Sequence, residues 1–392
     1  MGDAIDIQAV RRDTPGCDER IHLNNAGASL MPRPVTDTVI AHLELESRIG
    51  GYEAAEAVAD RVDAVYASAA TLIGGAPDEI ALFENATRAW HAVFYGLGLS
   101  EGDRLITGRA EYCSNYMAYL EMAERTGLEI VVIDDDEHGQ IDVAQLEQRI
   151  DSRVKLISLS HVPTSGGLVN PAEAVGRVAR AAGVPFLLDA CQSVGQLPVD
   201  VKAIGCDFLS TTGRKFLRGP RGSGFLWVSE SALDLLRPMA PEVGNADWTS
   251  LDGYTSKPGA RRFETWEVSY ALQLGLGRAI DYALDLGADA IWDRVSALAG
   301  GLRERLGSVP GVTLTDLGET RCGIVTFAVD GVPADHVRRA LAERAINVYV
   351  STVEDTRLDM ERRGLDEIVR SSVHYFNTET ELDALRAGVA AL

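Results

Sequence analysis

The sequence has no cysteine pattern that could cross-link or metallate it. Its five cysteines (Cys17, Cys113, Cys191, Cys206 and Cys322) are odd in number and scattered, with neither CxxC nor Cys/His ligand spacing. Neither a disulfide framework nor a zinc site is indicated. No apolar run approaches membrane-spanning length, and the opening MGDAIDIQAVRRD is too charged for a signal peptide. The expectation is a cytoplasmic protein with no membrane partner. Positive charge is also short. Lys+Arg number 37 against 58 Asp+Glu, a formal net charge of −21 that argues against nucleic acid and anionic surfaces. Cations should therefore matter locally, around a bound phosphate or carboxylate. No fixed-period repeat or low-complexity segment is visible.

What is present is a globular composition, 46% hydrophobic and 24% charged over 392 residues, enough for one large domain and a smaller one. Apolar runs at 80–83, 104–107, 128–133, 154–160, 184–188, 207–211 and 224–228 read as strands. Helical periodicity fills 89–97, 114–125, 142–150 and 171–182, and also 35–73, where Gly50-Gly51-Tyr52 marks a bend. This alternation predicts a doubly wound, mostly parallel sheet with helices on both faces. Residues 231–260 read as a long loop, and 270–287 as a long helix. Helices at 288–306, 333–344 and 380–391, with strands at 312–314, 323–329, 346–350 and 368–372, predict a smaller C-terminal α+β domain. The expected division is a large α/β domain over 21–260, with 1–20 as a polar N-terminal arm beside the small domain of 261–392.

Chemistry concentrates in VPFLLDACQSVGQLPVDVKAIGCDFLSTTGRKFLRGPRGSGFLWV, residues 184–228. One apolar strand stops at Asp189, with Gln192 one turn on, and the next ends in Thr212-Gly-Arg214-Lys215. Open α/β sheets place ligands at this carboxyl edge. Lys215, beside hydroxyls and a second cation, suits a Schiff-base nucleophile with a lowered pKa; otherwise it is a solvated surface lysine. A Ser/Thr-x-x-Lys hydrolase reading of Thr212 and Lys215 is weak, because that motif wants a helix start. Asp189 suits a partner for the ring nitrogen of pyridoxal phosphate, with Gln192 in reach of the phenolic oxygen; otherwise backbone N–H groups satisfy it. Glu84-Asn-Ala-Thr87-Arg88 joins a strand to a helix. The amides of Thr87 and Arg88, with the Thr212 hydroxyl and Arg214, would cup a phosphate, or the segment is an ordinary N-cap. Tyr112 could stack on a flat ring. His161 and Thr164 share the sheet edge. Arg370 is a candidate fork for a substrate carboxylate, or one half of a surface ion pair.

Taken in this order, from LNNAG (23–27) to RSSVHYFNTETEL (370–382), these segments resemble the class V aminotransferase-fold family. That family of pyridoxal phosphate enzymes includes cysteine desulfurases, isopenicillin N epimerase-like proteins and C–S lyases. The resemblance implies the fold-type-I architecture of pyridoxal phosphate-dependent transferases and pyridoxal 5'-phosphate on Lys215. It implies Tyr112 at the stacking position, and Asp189, Gln192, Thr87, Arg88, Thr164, Thr212 and Arg214 around the cofactor. Asn25 and Arg370 would meet the substrate, and no metal is called for. It also implies a homodimer with a shared active site, a residue near Phe263 to Trp266 reaching the neighbour's centre. Desulfurases carry a nucleophilic cysteine shortly before the carboxylate-binding arginine, whereas Val350 to Arg370 contains none. Arg214 and Tyr112 stand where desulfurases have histidine, and Thr164 where many have asparagine. The segment from Glu46 to Glu56, with GGYEAAE, is similar to that of ergothioneine-pathway C–S lyases.

The reading is a lyase that cleaves a cysteine-derived amino acid by β-elimination, with Lys215 as base, Asp189 protonating the ring and Tyr112 stacked on it. Pyruvate, ammonia and a sulfur-containing fragment would result. An epimerase, an aminotransferase or a cysteine desulfurase would share the early steps. A cofactor-free binding protein on the same fold is the alternative of a different class.

Overall fold

The computed structural model describes residues 5–392. Seven strands form the large sheet: β1 (Ile80–Phe83), β2 (Arg104–Gly108), β3 (Glu129–Ile133), β4 (Val154–Ser160), β5 (Phe186–Asp189), β6 (Phe208–Thr212) and β7 (Gly224–Val228). Their order is β1-β7-β6-β5-β4-β2-β3, all parallel except β7, which runs against both neighbours. The strands are apolar without alternation because both faces are covered. Leu105, Leu156, Leu187 and Phe208 pack on one side against Trp90, Phe94, Tyr119 and Met122. Ile106, Ile157, Phe186, Leu188 and Leu209 pack on the other against Val175 and Ala179.

The helices of this part of the chain include α1 (Arg33–Ile49), α2 (Ala59–Ile73), α3 (Ala86–Gly96), α4 (Cys113–Thr126) and α5 (Ala172–Ala182). The bend read at Gly50 is real. Gly50 has φ 99°, a conformation that costs glycine least, and a short helix (Gly51–Ala57) precedes α2. The long helix α6 (Tyr270–Leu286) lies across α1 and α2 and leads through α7 (Ala288–Gly307) into the C-terminal part of the chain. There β8 (Val312–Leu314), β9 (Ile324–Val329), β10 (Tyr349–Thr352) and β11 (Glu367–Ser372) form an antiparallel sheet in the order β8-β9-β11-β10.

Two sequence readings need correction. Residues 246–256 are not loop but an exposed hairpin, Ala246–Ser250 against Gly253–Ser256. The segment before residue 20, expected as a polar arm, is partly helical and packed where described. It contains a helix, Ile7–Arg12, whose Val10 is buried and whose Arg11 donates to Glu381 Oε1 at 2.8 Å.

Arg218 ties three parts of the chain to the turn after β6. It is 1% exposed, adopts φ 60°, and donates to Leu30 O, the Tyr375 hydroxyl and Thr14 Oγ1 at 2.8, 3.0 and 2.6 Å. Its guanidinium lies 4.5 Å from the Phe376 ring centroid, and no described carboxylate pairs with it. Arg218→Met leaves three acceptors undonated, two of them buried, so we expect a loss of roughly 2–4 kcal/mol. Thermal unfolding should show a drop of several degrees; an unchanged midpoint would refute this role.

Candidate active site

The carboxyl ends of the parallel strands converge on one cleft. Ser160, Asp189 and Ser210 are level across β4, β5 and β6. The cleft is lined by Asn85, Thr87, Tyr112, Asn115, Thr164, Asp189, Cys191, Gln192, Arg214 and Lys215, among others. Most of the residues read from the sequence are therefore neighbours in space.

Lys215 is 8% exposed, which rules out the solvated reading. The turn holding it is clamped: Gly219 N–H donates to Gly213 O at 2.8 Å, and Ser29 N–H to Arg214 O at 2.9 Å. Gly195, with φ 94°, lets the loop after β5 touch the backbone of Phe216; a Cβ there would lie 2.5 Å from Phe216 C. Burial lowers the Lys215 pKa from the ordinary lysine range; Arg214 and Arg370 add to the effect, while Cys191 and Asp189 oppose it. The amine lies 5.9 Å from the Tyr112 ring centroid.

Asp189 is 8% exposed and held from two sides. The Cys191 amide donates to Oδ1 at 3.0 Å, and Asn115 Nδ2 to Oδ2 at 3.0 Å. Backbone satisfaction is thus part of its environment, beside its place on the cleft wall. Gln192 donates to Ala26 O and Thr164 Oγ1 at 3.1 and 3.3 Å, while its buried Oε1 has no partner among the described residues.

Helix α3 starts at Ala86, with Asn85 as its cap. Asn85 Oδ1 accepts from the Arg88 amide at 2.9 Å, and the Arg88 side chain pairs with Glu84 at 3.3 Å. The Arg88 amide expected in a phosphate cup is therefore engaged by the cap, and Ala86 and Thr87 carry the open N–H groups. Arg214 Nη1 donates to Thr212 Oγ1 at 3.0 Å, bringing a cation and a hydroxyl beside them.

Arg370, on β11, is 4% exposed and in no ion pair among the described residues. Its Nη1 donates to Thr164 Oγ1 at 2.6 Å and Thr164 O at 3.1 Å, and the guanidinium stacks 4.4 Å from the Tyr349 ring centroid. Burial holds its pKa down to about 10, still cationic at neutral pH. Asn25 is not brought to the cleft. Its amide donates to His22 O and Ser372 O at 3.3 and 2.7 Å, and its Oδ1 accepts from Ser29 at 2.7 Å. Asn24, one residue earlier, reaches Arg370 Nη2 at 3.4 Å. His161 lies buried behind β4, and burial holds it to about 4, a neutral ring.

Two residues of the centre escaped the sequence reading: Glu111 and Asn115. Both are 4% exposed, and Asn115 bridges Glu111 to Asp189. A carboxylate in the strand-to-helix loop that carries Tyr112 was the available signal.

Known proteins resemble this chain over nearly its whole length. The profile of the family described as "Aminotransferase class-V" matches residues 21–385. The chain belongs to that family. A probable cysteine desulfurase of Methanothermobacter thermautotrophicus is 29% identical over 383 residues, 96% of this chain and 95% of the relative. A probable cysteine desulfurase of Streptomyces coelicolor is 28% identical, covering 98% and 96%. The apo cysteine desulfurase of Thermococcus onnurineus NA1 superposes with TM-score 0.93 at 27% identity, covering 100% of this chain and 99% of that one. A cystine C–S lyase in complex with cysteine persulfide shares the fold at TM-score 0.87 and 22% identity, covering 96% and 99%.

Membership makes the chain a fold-type-I enzyme that uses pyridoxal phosphate. The residues fit that group. Two open helix-start amides and a cation stand at one end of the cleft, a carboxylate and an unpartnered Gln192 oxygen along its wall, and a desolvated amine between them.

Because Arg214 favours the neutral amine, its removal should raise the Lys215 pKa. In cofactor-free Arg214→Ala, compared with cofactor-free wild type, the midpoint for Lys215 labelling by formaldehyde and borohydride should move to higher pH. Peptide-resolved labelling from about pH 6 to about pH 10 measures it, and an unmoved or lower midpoint would contradict the electrostatic account.

Proposed function

We propose that the chain is a pyridoxal phosphate-dependent lyase that cleaves the C–S bond of a cysteine-derived amino acid by β-elimination. The chemistry of the thiols carries this reading. Sulfur transfer to protein needs a thiolate placed to receive it. No cysteine lies between Val350 and Arg370. Of the two thiols near the centre, burial pushes Cys113 up and Cys191 well up, so both stay protonated at neutral pH. Elimination needs only a base at the α-carbon and a route for the proton to the leaving sulfur.

Pyridoxal phosphate, when bound, supplies a carbonyl carbon for the substrate amine and a ring that draws off the electrons left at the α-carbon. The open amides of Ala86 and Thr87, with Thr212 and Arg214, would hold the phosphate. Asp189 would accept from the ring N–H, Gln192 would face the phenolic oxygen and Tyr112 would stack. Arg370 would grip the substrate carboxylate, its fork aligned by Thr164 and its plane by Tyr349. Lys215 would take the α-proton as a neutral amine and hand it to the departing sulfur. Overall, R–S–CH2–CH(NH3+)–COO− and water become R–SH, pyruvate and ammonium.

The names of the relatives favour a second reading, cysteine desulfurase. Holoenzyme incubated with L-cysteine, and separately with L-cystine and S-alkylcysteines, distinguishes the two. Pyruvate and ammonium in equal amounts support the lyase; alanine with a persulfide on the protein overturns it, as does amino exchange or inversion at the α-carbon without cleavage. Lys215→Ala should lower turnover by about 1000-fold or more while still holding the cofactor non-covalently; a wild-type rate would refute the assignment.

The partner in assembly is proposed to be a second copy. A groove of about 940 Å³ opens beside the phosphate end of the cleft, lined by Tyr52, Phe83, Met239, Trp266 and Tyr270 among others. On the hairpin that follows Asn245, Trp248 and Leu251 are 79% and 96% exposed, apolar side chains that a partner would cover. Sedimentation should give a dimer mass that falls to a monomer in Trp248→Glu/Leu251→Glu; a fully active monomer at working concentration would contradict a shared site.

A further inference from the structure

Behind the cleft wall lies a second buried acid that the reaction outlined above does not use. Glu111 follows β2 in the loop leading to α4 and is surrounded by donors. Ser160 Oγ, the Tyr112 amide and Asn115 Nδ2 reach its Oε1 at 2.5, 2.7 and 3.1 Å. Thr107 Oγ1 and the Tyr119 hydroxyl reach its Oε2 at 2.9 and 3.3 Å. The Tyr112 amide and Asn115 Nδ2 can only donate, and the three hydroxyls can donate too; this shell suits the ionised form, which only accepts. Burial raises its pKa, with the nearby Asp189 charge adding to the rise, and the hydrogen bonds from Ser160, Tyr112 and Thr107 oppose this.

Asn115 Nδ2 has two hydrogens, and the geometry gives one to each acid, 3.1 Å to Glu111 Oε1 and 3.0 Å to Asp189 Oδ2. The amide thus orients Asp189 and passes on the influence of a second negative charge. A like charge nearby makes a carboxylate hold a shared proton more strongly. We propose that Glu111 is a positioning residue that acts through Asn115 to fix Asp189 and strengthen its hold on the proton at the cofactor's ring nitrogen. The inference rests on the reading of Asp189 as the partner of that nitrogen. Glu111 touches neither substrate nor cofactor.

The test uses holoenzyme loaded with pyridoxal phosphate carrying ¹⁵N in the ring. In Glu111→Gln, which keeps the shape and removes the charge, the ring ¹⁵N resonance should move from the protonated value toward that of the unprotonated pyridine. Turnover (kcat) should fall about 10-fold, with KM within about twofold. Asn115→Ala, which breaks the bridge and leaves Glu111 in place, should move the resonance the same way and stands in if Glu111→Gln does not fold. A wild-type resonance in whichever variant folds overturns the inference. Asp189→Asn separates the two levels. If it moves the resonance and the other variants do not, only the role of Glu111 fails; if it too leaves the resonance in place, the reading of Asp189 fails.

Discussion

The site depends on keeping one amine dry. Lys215 projects from a turn at the carboxyl edge of a seven-stranded sheet, and burial there favours its uncharged form. The surrounding backbone fixes the amine in that buried place. Arg218 and the Gly213–Gly219 hydrogen bond hold the turn closed, and the parallel strands deliver Asp189 alongside. A protonated ammonium would be a poor nucleophile toward an aldehyde and a poor base at carbon. Fold and reactivity therefore meet in one desolvation effect.

Charge is arranged with the same economy. The chain is strongly acidic as a whole, yet cations stand at both ends of the cleft, Arg214 by the α3 start and Arg370 by Thr164. A substrate with a carboxylate at one end and a cofactor with a phosphate at the other would find these as local exceptions to a repelling surface. The two thiols beside the cleft are pushed toward their protonated form by burial.

Much of this was legible in the sequence because parallel strands buried on both faces are written as unbroken apolar runs. Asp189 and Lys215 stand where such runs stop, so their place on one edge followed from pattern alone. Less visible were contacts made by residues far apart in the chain. Glu111 and Asn115 matter only because the loop after β2 folds beside Asp189, 74 residues from Asn115. One residue of register separates Asn25, engaged with backbone carbonyls, from Asn24, which reaches Arg370. The Ala246–Ser250 hairpin was missed because its strands are largely exposed and carry no buried alternation. The helix at Ile7–Arg12 was missed because one buried valine and an ion pair hold it, too little to leave a periodic signature.

The central claim is that Lys215, and no other amine, receives the cofactor. Reducing holoenzyme with borohydride fixes the cofactor permanently to whichever lysine holds it, and peptide mass spectrometry then identifies that residue. The account predicts the label on Lys215 alone; a label on Lys155, Lys202 or Lys257, with Lys215 unmodified, would contradict it.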